Sequence, residues 1–398
     1  MKHGFYFRFY RMFHNESLCC FLASLAYFLY CVKFFIKKTF RKKVKSTMTV
    51  DEARRIIDEV YPKPESNPEY INPEINESLD LSIVIPVYNY ADILEDNIKS
   101  ILNQKTDYKF EAIFVDDGST DGAQDILRKY ENHPKVKLIF QKNGGIGAAR
   151  NTGINNANGK YLMFVDCDDI IHDDIVETLM SKAYEQDLDM VVAAHNLVKE
   201  KNGEVYEVVP NVYPQKNLIG FKNGDEIMNL PGLPWAKVYK RELWDEVRFF
   251  PGYWYEDTII QFLIFSQVKS YKYISKFVYE YKWYEKNFSH IQGNRANKKT
   301  IDSYWILIEI INQYKNIIND NNVDLLYTLI LRHLGSYLYT SIRGLDDKII
   351  NSVFVMSKEF LSEYKPNHSV RLPYMINELE QAFDTNDIEL WKLASLYQ

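Results

Sequence analysis

A doubly wound, mostly parallel α/β sheet is the fold class predicted for the middle of this chain, and three features predict it. Short apolar runs alternate with amphipathic helical segments three times within about 85 residues, starting at Leu81. The runs have the continuous apolar character of strands buried on both faces. Polar turns follow them, and in open α/β sheets the ligand sits beyond the carboxyl ends of the strands.

The elements follow in order. Ser82-Ile-Val-Ile-Pro86 reads as a strand of the buried type, and Ile93–Leu102 has helical spacing. Phe110–Val115 gives a second strand, Asp121–Tyr130 a second helix and Val136–Phe140 a third strand. Ile146–Ala157 is helical and Tyr161–Val165 is a fourth strand. Met190–Val198 and Glu204–Val209 flank Lys201-Asn-Gly203, a hairpin signal. After Thr300 the pattern is helical: Tyr304–Ile318, Val323–Ile342, Ile349–Tyr364 and Ile376–Phe383. The expected organisation is a membrane-associated basic and apolar segment over 1–46 and a short helix with a linker over 47–79. The α/β domain takes 80–292 and a C-terminal helical domain 293–398. In the second segment Asp51–Tyr61 is the helix, and Pro62, Pro64, Pro68 and Pro73 stop it from continuing.

Charge is distributed unevenly. Residues 1–50 hold ten Lys/Arg against one acid, Glu16, whereas the remainder holds 38 basic and 53 acidic residues. A nucleic-acid binder would carry its basic residues over the folded domain, so nucleic acid is not an expected partner. The basic residues flank an apolar run, Leu18–Val32, which resumes after Lys33 with Phe34, Phe35 and Ile36. At about 20 residues a run spans a bilayer, so two modes stay open: an uncleaved span, or a segment lying in the interface. A helix packed on the protein core is the third reading. The cluster Lys37–Lys45 outweighs the basic residues upstream and places the bulk of the chain on the cytoplasmic face. Four cysteines, Cys19, Cys20, Cys31 and Cys167, make no disulfide framework and suit a reducing compartment.

Candidate chemistry collects at the predicted strand ends. Pro86-Val-Tyr-Asn89 follows the first strand, Asp116-Asp-Gly-Ser-Thr-Asp121 the second and Asp166-Cys-Asp-Asp169 the fourth. Carboxylates gathered at one sheet edge repel one another unless a cation joins them, so a hard divalent ion, Mg2+ or Mn2+, is expected there. Asn143-Gly-Gly-Ile-Gly-Ala-Ala-Arg150 opens a helix with glycines, which puts backbone N–H groups near an anion or simply makes a tight strand-to-helix turn. It matches neither the dinucleotide fingerprint nor the Walker pattern.

Taken together these residues resemble the family-2 glycosyltransferases, inverting enzymes with the GT-A fold. The resemblance rests on Ile85-Pro-Val-Tyr-Asn89, Ser100-Ile-Leu-Asn-Gln104, Val115-Asp-Asp-Gly-Ser-Thr-Asp121, Asn143-Gly-Gly, Ala149-Arg-Asn-Thr-Gly153, Gly159-Lys-Tyr161 and Val165-Asp-Cys-Asp-Asp169. Further on, Trp235-Ala-Lys-Val-Tyr resembles the acceptor-side Trp-x-Lys-x-Tyr segment, and Tyr255-Glu-Asp-Thr258 the acidic pair that carries the base. Cys167 departs from the Ser common in the family. The resemblance implies that Pro86, Val87 and Tyr88 line the nucleotide base and that Asp117, with Asp116 the weaker candidate, accepts from it. Arg150 and Asp166 belong to the nucleotide-sugar site, and Asp168 with Asp166 holds the ion. Trp235, Lys237 and Glu256 lie on the acceptor side, and Asp257 is the general base or the N-cap of a helix over Thr258–Gln267.

The function implied is transfer of a sugar from a nucleotide-sugar donor, a UDP-sugar first among them, to a hydroxyl of a glycan. The apolar segment adds a membrane surface as partner and a lipid-linked acceptor in the synthesis of a surface polysaccharide. A sugar-phosphate nucleotidyltransferase would need a basic Gly-rich loop after the first strand, where Tyr88-Asn-Tyr-Ala91 stands instead. A catalytically inactive binding scaffold at the membrane is the reading from another class. His290 is a weak candidate for a diphosphate contact. The aromatics Trp244, Phe249, Phe250, Tyr253, Trp254 and Tyr255 are read as sugar-stacking or core residues.

Overall fold

The structure is a computed structural model and describes residues 5, 16–201, 204–211, 230, 232–284, 296–314 and 323–397. It divides into two compact units, one made of Met1–Lys63 with Phe288–Gln398 and the other of Pro64–Asn287.

The first unit joins both ends of the chain. Helix α1 (Glu16–Phe40) carries the apolar run. Helix α2 (Val50–Val60) is capped by Thr49, whose hydroxyl accepts from the Glu52 N–H, and it buries Ala53, Ile56 and Ile57. The Tyr61 hydroxyl just beyond it donates to Asp302 at 2.8 Å.

In the second unit, β1 (Leu81–Val87), helix α3 (Ala91–Leu102), β2 (Phe110–Asp116), helix α4 (Ala123–Arg128), β3 (Val136–Phe140), helix α5 (Ile146–Ile154) and β4 (Tyr161–Phe164) follow in the predicted alternation. A short β5 (Ile170–Ile171), helix α6 (Ile175–Glu185), the hairpin strands β6 (Met190–Lys201) and β7 (Glu204–Asn211), and β8 (Lys237–Lys240) come next. Helix α7 over 258–267 and β9 (Tyr271–Trp283) complete the unit. The sheet runs β3-β2-β1-β4-β8-β6-β9-β5, with β7 added beside β6. Strands β3, β2, β1 and β4 are parallel, and β8 enters antiparallel to β4 and β6.

Every residue of β1 is buried, as its apolar run requires. Helix α5 packs unusually close to it: a Cβ at Gly153 would stand 2.2 Å from Val84 Cγ1, so only glycine fits. The other face of α5 is stapled to the chain before α7. The Asn151 amide donates to the Phe249 carbonyl at 2.7 Å and accepts from the Phe249 N–H at 2.8 Å. Here the aromatic cluster resolves as core, since Trp244, Phe249, Phe250, Tyr253 and Trp254 are all buried.

The C-terminal helices belong to the first unit. Helix α8 is Asp302–Gln313, and α9 runs over 323–342 with a π-type turn at His333–Tyr337. Helices α10 (Asp347–Tyr364), α11 (Tyr374–Asp384) and α12 (Ile388–Ser395) follow. The two linking residues of the hairpin, 315–318 at the end of the expected helix after Tyr304, and His290 lie outside the described residues.

Candidate active site

The adjacent carboxyl ends of β2, β1 and β4 frame the site, and the turns are tied together there. The Asp117 N–H donates to the Val87 carbonyl at 2.8 Å, joining the ends of β1 and β2. From α3, the Asn97 amide donates to the carbonyls of Asp166 (3.0 Å) and Asp169 (2.7 Å) and so fixes the acidic loop after β4.

On β2 the two aspartates play different parts. Asp116 Oδ2 accepts from the Gly118 and Ser119 N–H groups, both at 3.2 Å, and from Gln124 Nε2 at 2.7 Å. Its Oδ1 is buried with no hydrogen-bond partner among the described residues. Asp117 is saturated: Oδ1 accepts from Gln141 Nε2 (2.7 Å) and the Gly144 N–H (2.9 Å), and Oδ2 from the Gly145 N–H (2.8 Å). Burial pushes its carboxyl above the ordinary value in spite of those donors. The anion that the Gly-rich turn meets is therefore Asp117 of the chain itself. Pro86 and Val87 are enclosed in β1, so of the three residues expected along the base only Tyr88, 45% exposed, offers surface.

Arg150 is the hub of the second cluster. Its side chain, raised on α5, is buried. Nη2 donates to Asp166 Oδ1 at 2.7 Å and Nη1 to Glu256 Oε1 at 2.5 Å. Burial alone would pull its titration down, but Asp166 and Glu256 outweigh that and hold it firmly charged. Arg150 is thus a positioning residue for two carboxylates rather than a group facing the donor. Next to Glu256, Asp257 has its carboxyl raised to about 7, first by burial and then by Glu256 and Asp166, with Arg150 pulling the other way. Tyr255, in a left-handed conformation (φ 62°), makes the turn that leads into α7. Asp257 stands at the N-terminal edge of α7, where its carbonyl accepts from the Ile260 N–H at 2.9 Å.

Asp168 is raised to about 7 by burial and by Asp166, and the hydroxyls of Tyr284 (3.2 Å) and Tyr90 bond to it. Asp169 is enclosed, with Tyr279 Oη donating at 2.6 Å and the Lys282 N–H at 2.9 Å, which ties the acidic loop to β9. Donors of the chain meet all five acids, yet Asp117, Asp168 and Asp169 stay raised, first by burial and then by neighbouring acids, and a cation beside Asp168 would offset that charge. Among the described residues no group of three or more His, Cys, Asp or Glu side chains is placed to hold a metal alone. The hard oxygen donors of Asp168 and Asp166 fit Mg2+ or Mn2+ completed by ligand oxygens.

Trp235 and Lys237 sit deeper than an acceptor contact suggests. The Trp235 ring stacks on Tyr279 (4.7 Å between centroids, 9° between planes) and Tyr281 (5.4 Å, 23°) and is 4% exposed. Lys237 is fully buried and donates to the carbonyls of Leu233 (2.6 Å) and Trp235 (3.2 Å). Burial lowers its titration to about 7, and Asp257 partly restores it. Tyr90, Tyr279 and Tyr284 are site residues that sequence reasoning did not pick out. The alternating tyrosines of Val278-Tyr-Glu-Tyr-Lys-Trp283 were the available signal.

The α/β sheet with carboxylates at its strand ends lies in a stretch that matches a known family. The model of glycosyl transferase family 2 matches residues 82–238. Glycosyltransferase GlyA of Streptococcus pneumoniae is 32% identical over 232 residues, which is 56% of this chain and 33% of that protein. The uncharacterized glycosyltransferase YibD of Escherichia coli is 32% identical over 236 residues, 56% of this chain and 67% of that protein. In fold, the chain is similar to S. aureus TarS 1–349 in complex with UDP-GlcNAc, with a TM-score of 0.59 and 19% identity over 80% of this chain and 91% of that one. The chain belongs to glycosyltransferase family 2.

An activity profile follows from Asp257. If Asp257 is the general base, kcat/KM should fall with limiting unit slope as pH drops below about 7. Measured across pH 5.5–8.5, that limb should disappear in Asp257→Asn.

Proposed function

We propose that the protein is a metal-dependent inverting glycosyltransferase that moves a sugar from a nucleoside-diphosphate donor to a glycan hydroxyl. The observation that carries the reading is the division of labour within Glu256-Asp257. Arg150 holds Glu256 at 2.5 Å, and the half-buried neighbour Asp257 is left with a titration near neutrality. A general base is best poised there. Asp257 takes the proton of the acceptor hydroxyl as that oxygen bonds to the anomeric carbon. The bond from that carbon to the donor phosphate breaks on the opposite face, and the nucleoside diphosphate departs with the electron pair. One displacement inverts the centre. Asp168, with Asp166, would hold Mg2+ or Mn2+, which supplies countercharge to the leaving diphosphate.

The UDP-GlcNAc complex of the TarS neighbour supports a UDP-sugar donor, hexosyl or N-acetylhexosaminyl. The apolar helix α1 supports a lipid-linked acceptor at the cytoplasmic face of the membrane, in the assembly of a bacterial surface polysaccharide.

The test is a panel of nucleotide sugars with Mg2+ or Mn2+, read by release of nucleoside diphosphate. One donor should be hydrolysed slowly, and the release should vanish with EDTA and in Asp168→Ala. If no donor is hydrolysed and none binds by calorimetry, the donor site is misassigned; binding without hydrolysis in any metal would favour a scaffold.

A further inference from the structure

Helix α1 is long and apolar enough to cross a bilayer, yet its two sides differ. Phe21, Leu25, Phe28, Leu29, Val32, Phe35, Ile36 and Phe40 are all exposed. At 100° per residue they fall in one arc of roughly 140° and run the length of the helix, roughly 29 Å at 1.5 Å per residue. The opposite side is docked on the C-terminal helices of the same unit. Phe34 is fully buried and packs edge-on against Tyr374 (6.1 Å), and Tyr30 lies 4.6 Å from Tyr397. Near the end of α1, Lys38 bonds to Glu378 and Arg41 to Asp387, both at 2.5 Å, and both acids are buried. A spanning α1 would carry the docked helix α11 into the hydrocarbon with it, and α11 exposes Asn377, Gln381 and Asp384.

We propose that α1 lies in the plane of an anionic lipid surface, its exposed arc seated among the acyl chains and its other side clamped to α11 and α12. The occupant is argued from charge and continuity. Lys33, Lys37, Lys42, Lys43 and Lys45 are exposed along and just after the helix, and residues 17–50 contain no Asp or Glu. Tyr374 and Leu396, exposed beside α1, extend the apolar surface onto the C-terminal helices. This in-plane seat deepens the membrane reading given above and is independent of the transfer reaction.

The test uses the full chain with its four cysteines replaced and single spin labels at positions 21, 28 and 35. These lie seven residues apart on the exposed arc. Bound to phosphatidylcholine vesicles containing phosphatidylglycerol, the three labels should report the same shallow depth by oxygen and nickel-chelate accessibility. A span would place successive labels about 10 Å apart along the membrane normal, and that result would overturn the proposal. So would labels that stay fully aqueous with vesicles present. As a second measurement, Lys42→Gln/Lys43→Gln/Lys45→Gln leaves the docked face untouched. It should weaken binding to these vesicles about 100-fold, at about 1 kcal/mol per lysine. Unchanged binding would overturn the anionic partner. Neither readout needs a donor sugar, so failure of the catalytic reading leaves this test intact.

Discussion

Replacing Asp257 by Asn should reduce kcat by about 1,000-fold, within the range typical of general-base catalysis, while donor affinity measured by calorimetry stays within about twofold. The amide keeps the size of the carboxyl and cannot accept the proton. Glu256 cannot take over, because Arg150 Nη1 holds its Oε1 at 2.5 Å and leaves it committed to an ion pair. Lys237, whose titration is also brought near 7, donates to two carbonyls and is turned into the backbone. If Asp257→Asn lowers donor affinity and kcat together, Asp257 belongs to the donor site and the assignment of the base fails.

Removal of the guanidinium in Arg150→Met should cost both structure and activity. Two carboxylates, Asp166 and Glu256, lose their buried counter-ion at once. Breaking a buried pair of this kind typically costs about 3–5 kcal/mol, which lowers a thermal midpoint by roughly 10 °C for a unit of this size. Adding Glu256→Gln should recover part of the stability, since one orphaned charge is gone, but none of the activity, because Asp166 is still unpositioned. A single mutant as stable as the parent would mean that water or rearrangement satisfies both acids and that Arg150 is dispensable to the frame.

The parallel half of the sheet was legible because its strands are buried on both faces. Val136–Phe140 was placed to the residue, and β1 and β2 each exceed the expected strand slightly. Helix α6 escaped notice, as did the full length of β9, whose start at Tyr271-Lys-Tyr-Ile alternates apolar and polar residues too briefly to stand out. At the site, sequence identified the acids but not what each one faces. Asp117 reads like a ligand residue, and only the folded turn shows Gly144 and Gly145 closing on it. Arg150 reads like an anion binder, and only the approach of α5 to the segment before α7 shows it serving two carboxylates of its own chain. Tyr90, Tyr279 and Tyr284 meet the acidic loop from 78 to 116 residues away in sequence. Contacts at that separation are set by the order of strands, and no local pattern records them.

The first unit has a temporal consequence, because it is built from both chain ends. Helix α2 packs on α10, and Arg41 just after α1 reaches Asp387. During synthesis these partners emerge roughly 300 residues after α1, an interval of about 15–60 s at 5–20 residues per second. The central α/β unit can fold in that interval, while the apolar helix waits without its docking face. An apolar helix that emerges so far ahead of its partners is uncovered throughout that interval, and the C-terminal helices close onto it only once they have emerged.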